Sequence, residues 1–211
     1  MQDRKQHPAK RLHHHLRPRP PGSGKGTLCK RITETPDLSS HGFRHLSVGD
    51  CLRELAGLEA LCEAQSFDHE RILESVTKNK LLPSEVLIPV LEHKIASTTP
   101  SGDSGATAWL IDGFPRSLET ALTFEEKIGR PVRIVTLECA RENARSRFLN
   151  RGREKADDRE RFDRRFDEYV VNMEAIREHY GGITDAISVD GTREECFEEF
   201  VHLLTAKPKD G

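Results

Sequence analysis

The sequence predicts a doubly wound α/β domain, because short apolar runs alternate with longer segments of helical periodicity. The runs with the length and composition of buried strands cover residues 43–48, 108–111, 132–137 and 186–189. Helices are predicted over residues 25–33, 49–57, 68–78, 84–95, 116–127, 140–151, 158–179 and 192–204. This alternation is typical of a parallel sheet whose crossover helices cover both faces.

The first twenty residues have a different composition from the rest of the chain. They contain six basic residues and one acidic residue, three prolines, and only four apolar residues. Such a segment has too little apolar surface to offset the entropy of ordering it. We therefore expect a disordered basic arm over residues 1–20, a folded core over residues 21–205 and a tail over residues 206–211.

Composition excludes several classes of protein. The net charge of −2 argues against a dedicated nucleic-acid binder, and the longest apolar runs fall well short of the ~18 residues of a membrane span. The five cysteines are odd in number and form no Cys-x-x-Cys pair. They predict a reducing, cytoplasmic compartment, with the nucleus left open, and we expect a monomer.

A glycine-rich segment, PGSGKGT, occupies residues 21–27 and leads directly into a predicted helix. Backbone N–H groups of such a loop, the helix N-terminus and the Lys25 ammonium can together hold a polyphosphate. The strict pattern G-x-x-x-x-G-K-[ST] is not met, because Arg19 occupies its first glycine position and Gly26 separates Lys25 from Thr27. The alternative interpretation of the segment is an ordinary glycine-rich turn.

Three further segments resemble those of one family when they are taken together with PGSGKGT. They are HLSVGDCLR at residues 45–53, WLIDGFPR at 109–116, and the R-x-x-x-R-G, D-D and R-x-x-x-Y pattern within 147–169. In this combination and order the chain resembles the nucleoside monophosphate kinases, the adenylate and UMP/CMP kinase group with a short lid. The resemblance implies a P-loop three-layer αβα fold with a parallel sheet, an acceptor-binding insertion at about 49–82 and a lid at about 151–160.

The same resemblance implies transfer of the γ-phosphoryl group of Mg·ATP to a nucleoside monophosphate. Val48 stands where adenylate kinases resemble one another in having Thr and UMP/CMP kinases in having Ala, so UMP and CMP are favoured over AMP. Phosphoryl transfer depends mainly on positioning and on neutralising charge. The catalytic residues implied by the resemblance are Lys25, Asp112, Arg116, Arg151 and Arg165.

The remaining site residues also come from the resemblance. Mg²⁺ would contact the Thr27 hydroxyl and, through water, Asp112. ATP would be bound by Gly22, Ser23, Gly24, Lys25, Gly26, Thr27, Arg147, Arg151 and Gly191. The acceptor would be bound by Val48, Arg53, Lys80, Leu81, Leu82, Gly113, Phe114, Pro115, Arg116, Thr120 and Arg165. The paired lid carboxylates would be Asp157 and Asp158.

Structural alternatives remain open for several of these residues. Asp112 could be a turn or helix-capping residue, Arg53 a solvated surface residue, and Arg165 part of an exposed charged face that also holds Arg161 and Arg164. In that last case these arginines would pair with nearby acids such as Asp163 and Asp167.

The chain also departs from the family pattern at three places. No apolar strand precedes the phosphate loop, where HHHLRPRP stands; the lid segment REKADD is short; and Thr120 replaces an amide side chain. We expect the first central strand to be missing or replaced. These departures keep open a second hypothesis, a nucleotide-binding pseudoenzyme of the same fold with little or no kinase activity.

Overall fold

A parallel sheet lies at the centre of the protein. The computed structural model describes residues 13–17, 25–35, 42–78, 80–98, 108–150 and 159–207, with the backbone only for 13–17 and 25–27. Its strands are β1 (His13–Arg17), β2 (Phe43–Ser47), β3 (Ala108–Asp112), β4 (Arg133–Glu138) and β5 (Thr184–Ser188). They are arranged in the order β2-β3-β1-β4-β5, and every neighbouring pair is parallel.

Helices connect these strands on both faces of the sheet. Before β3 they are α1 (Lys25–Glu34), α2 (Val48–Ala56), α3 (Glu59–Ala64), α4 (His69–Lys78) and α5 (Ser84–Thr98). After β3 they are α6 (Leu118–Lys127), α7 (Arg141–Leu149), α8 (Arg159–His179) and α9 (Arg193–Thr205), with a short 3₁₀ helix at Gly181–Ile183. The predicted doubly wound αβα class is confirmed.

Alternation along β3 divides the core into two layers. Leu110 packs with α1 and α9, in a cluster that includes Ile32 and Phe200. Trp109 and Ile111 point to the other face and pack with the apolar residues of α5, α6 and α8. All three β3 residues are almost fully buried, as expected for a strand that is covered on both faces.

The acceptor-binding insertion contains three helices, α2, α3 and α4, instead of the two predicted. Its buried residues, among them Leu55, Cys62 and Ile72, join the core cluster on the α5 side of the sheet. The sequence interpretation missed α3, which is six residues long and buries a single side chain, Cys62. A helix this short carries almost no periodic signal.

Of the two possibilities expected for the first central strand, missing or replaced, the structure shows a strand with a replaced sequence, and the prediction of disorder is wrong for residues 13–17. β1 pairs with β3 over its whole length and with β4 through His15 and Leu16. Backbone groups form the ladder whatever the side chains are, and a strand between two neighbours satisfies its polar groups on both sides. The apolar sequence of this position is replaced by HHHLR, but the strand itself is present. Residues 1–12 and 18–20 of the predicted arm lie outside the described residues.

Within the described ranges, no helix combines the length and apolar character that crossing a membrane requires.

Candidate active site

The carboxyl ends of β1, β2 and β3 meet at one edge of the sheet. Asp112, the last residue of β3, is in register with Arg17 of β1 on one side and with Ser47 of β2 on the other. The glycine-rich segment follows β1 in the sequence, and α1 begins at Lys25. Ligands of open α/β sheets bind at this edge, so the sheet order brings the predicted phosphate loop and Asp112 to the same edge.

The structure describes only part of the predicted donor site. Of the phosphate loop, the structure describes the backbone of Lys25, Gly26 and Thr27 within α1. The predicted residues that lie outside the described part of the chain are Gly22, Ser23, Gly24, Arg151, Asp157 and Asp158.

Asp112 is a buried carboxylate with a histidine beside it. Its side chain is 2% exposed, and its Oδ2 atom lies 3.8 Å from Nε2 of His45 on β2. Burial lowers the pKa of His45, but the neighbouring side chains of Asp112 and Cys29 outweigh burial and raise that pKa to about 9. His45 therefore carries a positive charge at neutral pH, and this charge lies beside the Asp112 side chain.

The environment of Asp112 suits a magnesium ion that keeps most of its water. A carboxylate is a ligand type that Mg²⁺ prefers, and Mg²⁺ commonly binds proteins through one or two carboxylates together with water and substrate phosphates. The described residues contain no cluster of three or more His, Cys, Asp or Glu side chains that could hold a metal ion. Asp112 thus fits a site completed by water and phosphate rather than a cage built by the protein.

A sharp turn after β3 directs the chain into the predicted acceptor site. Gly113 has a φ of 80°, a conformation that suits glycine, and the Phe114–Pro115 peptide bond is cis. Arg116 then donates from Nε to the Gly113 carbonyl at 3.0 Å. The turn holds Arg116 close to the strand end that carries Asp112.

A second arginine approaches Arg116 from the acceptor-binding insertion. Arg53, on α2, pairs with Asp50 and folds over Gly49, so that a Cβ atom at Gly49 would lie 3.4 Å from its Nη2. The charges of Asp112 and Arg53 both act on the Arg116 guanidinium. Two cations from different parts of the chain therefore share one neighbourhood, where they can bind an anionic group.

A cleft that is partly open to solvent lies beside Arg116. Most of the residues predicted to bind the acceptor line it, namely Val48, Lys80, Leu81, Leu82, Gly113, Phe114, Arg116 and Thr120. Arg53, Pro115 and Arg165 are not among the lining residues. The sequence interpretation missed the remaining ones, Leu52, Ser75, Leu87 and Ser117. Only Leu52, beside Arg53 in HLSVGDCLR, carried a sequence signal.

The backbone of Lys80 is held by Ser75. Lys80 N–H donates to the Ser75 carbonyl at 3.2 Å, and the Ser75 hydroxyl donates to the Lys80 carbonyl at 2.7 Å. The expectation that residues 80–82 contact the acceptor through their backbone remains a prediction, and it rests mainly on Leu81 and Leu82.

Arg147 and Gly191, both predicted to bind ATP, lie in one region of the structure. Arg147 donates from Nη1 to the Val189 carbonyl at 2.7 Å and lies 3.9 Å from Cys139 Sγ. Asp190, between Val189 and Gly191, accepts from the Ala140 N–H at 2.9 Å. These contacts join both ends of α7, through Ala140 and Arg147, to the loop before α9.

Cys139 is part of the same region. Its thiol donates to Asp190 Oδ1 at 3.4 Å, and burial, followed by this hydrogen bond, raises the pKa of the thiol to about 11. At neutral pH the side chain is therefore a thiol and a poor nucleophile.

Arg165 lies on α8 and packs across to α7. Its Cζ atom is 5.8 Å from the centre of the Phe148 ring. In the alternative interpretation, the arginines of α8 pair with Asp163 and Asp167. In the structure these two acids contact arginines of α7 instead: Arg141 contacts both, and Arg145 contacts Asp163. The role of Arg165 in transfer stays a prediction.

A central parallel strand that leads into a glycine-rich loop, with a ligand cleft beside the next strand end, is the architecture of P-loop nucleotide-binding proteins.

Residues 19–184 match the family model of adenylate kinase. Adenylate kinase isoenzyme 1 of Sus scrofa is 29% identical over 193 residues, which cover 89% of this chain and 92% of the relative. UMP-CMP kinase of Lentinula edodes is 31% identical over 182 residues, which cover 82% of this chain and 75% of the relative. UMP-CMP kinase of Prunus armeniaca is 34% identical over 188 residues, which cover 85% of this chain and 72% of the relative.

The chain therefore belongs to the adenylate kinase family, and the predicted membership of the nucleoside monophosphate kinases is confirmed. Members of this family use Mg·ATP as the phosphoryl donor.

Proposed function

We propose that this protein is a nucleoside monophosphate kinase that transfers the γ-phosphoryl group of Mg·ATP to UMP or CMP in preference to AMP. The observation that carries the proposal is the position of Arg116. It lies just after the strand that ends in Asp112, it lines the acceptor cleft, and it shares its neighbourhood with Arg53. A nucleotide whose phosphate binds these cations would have its base in the cleft.

The residues of the site have separate tasks in this reaction. Arg53 and Arg116 bind the acceptor phosphate and reduce its negative charge, so that the phosphate oxygen can approach a second anion. Mg·ATP supplies the transferable phosphoryl group and the cation that neutralises its charge. Asp112 would hold Mg²⁺ through water, and Lys25 would contact the donor phosphates.

The preference for a pyrimidine acceptor rests on Val48. Its side chain is buried and forms part of the cleft wall beside Phe114. A valine at this position offers no hydrogen bond to a base, so contact there is purely apolar.

A coupled assay of ADP formation with Mg·ATP and each of AMP, UMP, CMP and dCMP tests the proposal. Arg116→Met should lower kcat/KM for the accepted nucleotide about 100-fold, because it removes a cation that neutralises the developing charge. The matched control is Arg130→Met, since Arg130 is an exposed arginine that pairs with Glu125 at 3.8 Å. It should leave kcat/KM unchanged.

Lys25→Ala separates the two hypotheses for this fold. Turnover that disappears in this variant supports the kinase. ATP binding by the unmodified protein without ADP formation from any of the four monophosphates would instead support the pseudoenzyme.

A further inference from the structure

We infer that Ser75 and Glu119 are positioning residues for the acceptor nucleotide, because they hold one wall of the cleft in place before the nucleotide binds. This wall consists of residues 80–82, with the sequence KLL, and is called the acceptor wall below. The inference rests on the proposed function, and neither residue needs to contact a reacting atom. It follows from two sets of hydrogen bonds, one at each end of the wall.

The acceptor wall is part of a short connection between two helices. α4 ends at Lys78 and α5 begins at Ser84, and all three residues of the wall line the cleft. A connection of this kind lacks the ladder of backbone hydrogen bonds that fixes a helix or a strand. Its conformation therefore depends on bonds to neighbouring elements.

Ser75 holds the beginning of the wall. Lys80 N–H donates to the Ser75 carbonyl at 3.2 Å, across a span of residues that is typical of a helix end. Ser75 Oγ donates to the Lys80 carbonyl at 2.7 Å, and the direction of this bond is certain because a carbonyl oxygen can only accept. Ser75 is only 9% exposed. Both backbone polar groups of Lys80 are thus fixed by one largely shielded residue.

Glu119 holds the end of the wall. Its Oε1 atom accepts from the Ser84 N–H at 3.2 Å and from the Ser84 hydroxyl group. Ser84 is the first residue of α5, and the first N–H groups of a helix have no partner within that helix. A carboxylate is favourable at this point, because these N–H groups carry partial positive charge. Glu119 therefore caps α5 from the neighbouring helix α6.

The bond from Glu119 also connects two groups of residues that line the cleft. Glu119 lies between Ser117 and Thr120, which line the cleft after the turn that follows β3. Ser84 comes two residues after Leu82, which lines the cleft from the acceptor wall. The carboxylate therefore fixes the spacing between the start of α6 and the acceptor wall.

A wall that is held at both ends makes nucleotide binding more favourable. Ordering a free backbone segment opposes binding, whereas a segment ordered on folding adds no such penalty. Loss of either anchor should therefore weaken binding of the monophosphate about fivefold. It should leave kcat unchanged, because the wall contacts the acceptor equally in the ground state and in the transition state.

The experiment measures kcat, the two KM values and the Kd of the monophosphate by calorimetry, with Mg·ATP and the pyrimidine monophosphate that the protein phosphorylates best. Ser75→Ala and Glu119→Ala should each raise the KM and the Kd of the monophosphate about fivefold, while kcat and the KM for ATP change by less than about twofold. Glu119→Gln keeps an oxygen that can accept from Ser84, so it should restore the KM of the unmodified protein.

The matched control for Ser75→Ala is Thr77→Ala on the same helix. Thr77 Oγ1 also donates to a backbone carbonyl, that of Leu73 at 2.8 Å, but Thr77 is exposed and is not among the residues that line the cleft. This variant should leave the KM and the Kd of the monophosphate unchanged, and a thermal melt of each variant verifies folding.

Amide hydrogen exchange without nucleotide tests directly whether the two anchors hold the wall. The N–H groups of Lys80 and Ser84 are both hydrogen-bonded at the anchors. A peptide that contains residues 80–84 should therefore exchange faster in Ser75→Ala and in Glu119→Ala than in the unmodified protein. Its exchange should be unchanged in Thr77→Ala and in Glu119→Gln.

The outcomes separate the inference from the proposed function. An unchanged KM for the monophosphate in either alanine variant would overturn the assignment of that residue and leave the kinase intact. An equal rise in the KM for ATP, or a fall in kcat at unchanged KM, would also overturn it. Absence of turnover with every monophosphate would overturn the proposed function, and the Kd values would then decide the inference. Absence of binding as well would overturn both.

Discussion

Arg145 Nη2 on α7 lies 2.9 Å from Asp163 Oδ1 on α8, and this contact joins the two helices on either side of residues 151–158. The same carboxylate oxygen accepts a second hydrogen bond, from Arg141 Nη2 at 2.9 Å. Arg141 also reaches Asp167 with its other terminal nitrogen at 2.7 Å. Asp163 is thus the centre of a charged network that fixes the spacing of α7 and α8.

We expect Asp163→Asn to lower the free energy of unfolding more than Asp167→Asn does. Asp163 serves two arginines and its side chain is 32% exposed, whereas Asp167 serves one and is 64% exposed. Exposed single ion pairs contribute little, and shared, better-shielded ones contribute more. Urea unfolding of both variants at pH 7 and low salt gives the comparison. Equal midpoints for the two variants would contradict it.

The loss of stability in Asp163→Asn should depend on pH, and its sign can be predicted. Hydrogen bonds from Arg141 and then Arg145 lower the pKa of Asp163. A lowered pKa in the folded state stabilises the protein above the ordinary aspartate pKa of about 3.9, and this contribution is lost as the pH falls through the folded value. The stability difference between the unmodified protein and Asp163→Asn should therefore be complete at pH 7 and shrink below about pH 4. A difference that grows on acidification would have the wrong sign.

Cys139 should react slowly with iodoacetamide at pH 8, although it is the least buried of the five cysteines. With its pKa raised to about 11, the thiolate fraction and the rate should rise about tenfold for each pH unit between 8 and 10. Asp190→Asn removes the neighbouring negative charge and should speed labelling at pH 8. Mass spectrometry of the labelled peptide measures the rate, and Cys139→Ser identifies the site. A rate that levels off near pH 8.5 would mean that the pKa is ordinary.

Gly191→Ala tests the predicted approach of ATP to the loop before α9. A Cβ atom there would lie 3.0 Å from Glu195 Oε2, the far end of a side chain that accepts from the Thr192 N–H in the capping box of α9. Because that end can shift by a few tenths of an ångström, we expect little change in stability. If a nucleotide packs against this glycine, the KM for ATP should rise about fivefold, which corresponds to roughly 1 kcal/mol.

Gly181→Ala is the control for that variant. A Cβ atom at Gly181 meets nothing within 4 Å, and Gly181 belongs to the 3₁₀ helix before β5. It should leave both the thermal melt and the KM for ATP unchanged. An unchanged KM in a stable Gly191→Ala variant would show that ATP does not closely approach this loop.

The sequence alone was sufficient to predict those strands and site residues that a local sequence pattern determines. β2, β3, β4 and β5 each begin and end within two residues of the predicted limits. For β3 and β4 the reason is that strands buried on both faces consist largely of apolar residues. Asp112 and Arg116 could be predicted from WLIDGFPR, since one strand and the turn after it place both. Neither required knowledge of contacts between distant parts of the chain.

Local sequence patterns do not predict cleft residues or strands that depend on contacts between distant parts of the chain. Ser75 and Leu87 come from α4 and α5, and they reach the acceptor cleft only because these helices pack beside the turn after β3. Ser117 looks like an ordinary helix cap, and its place in the cleft follows from the turn before it. The sequence did not predict β1 for a related reason. Few of its residues are apolar, and it is stabilised by pairing with strands more than ninety residues away in the sequence.

Leu16→Pro should therefore destabilise the protein strongly. Leu16 is in register with Ile111 of β3 and with Ile134 of β4, so its backbone lies between two partner strands. Proline removes a ladder N–H, leaves a buried carbonyl without its donor and places a ring against the neighbouring strand. We expect a loss of roughly 3 kcal/mol or more in the free energy of unfolding, measured by urea titration.

Leu16→Val is the matched control, because valine keeps the N–H and favours extended backbone. It should unfold within about 1.5 kcal/mol of the unmodified protein, as conservative apolar substitutions do. The sequence interpretation of residues 1–20 as a disordered arm makes the opposite prediction, that proline and valine at residue 16 are equally harmless. A Leu16→Pro variant with an unchanged melt would thus restore that interpretation, and it would remove the central strand on which the phosphate loop depends.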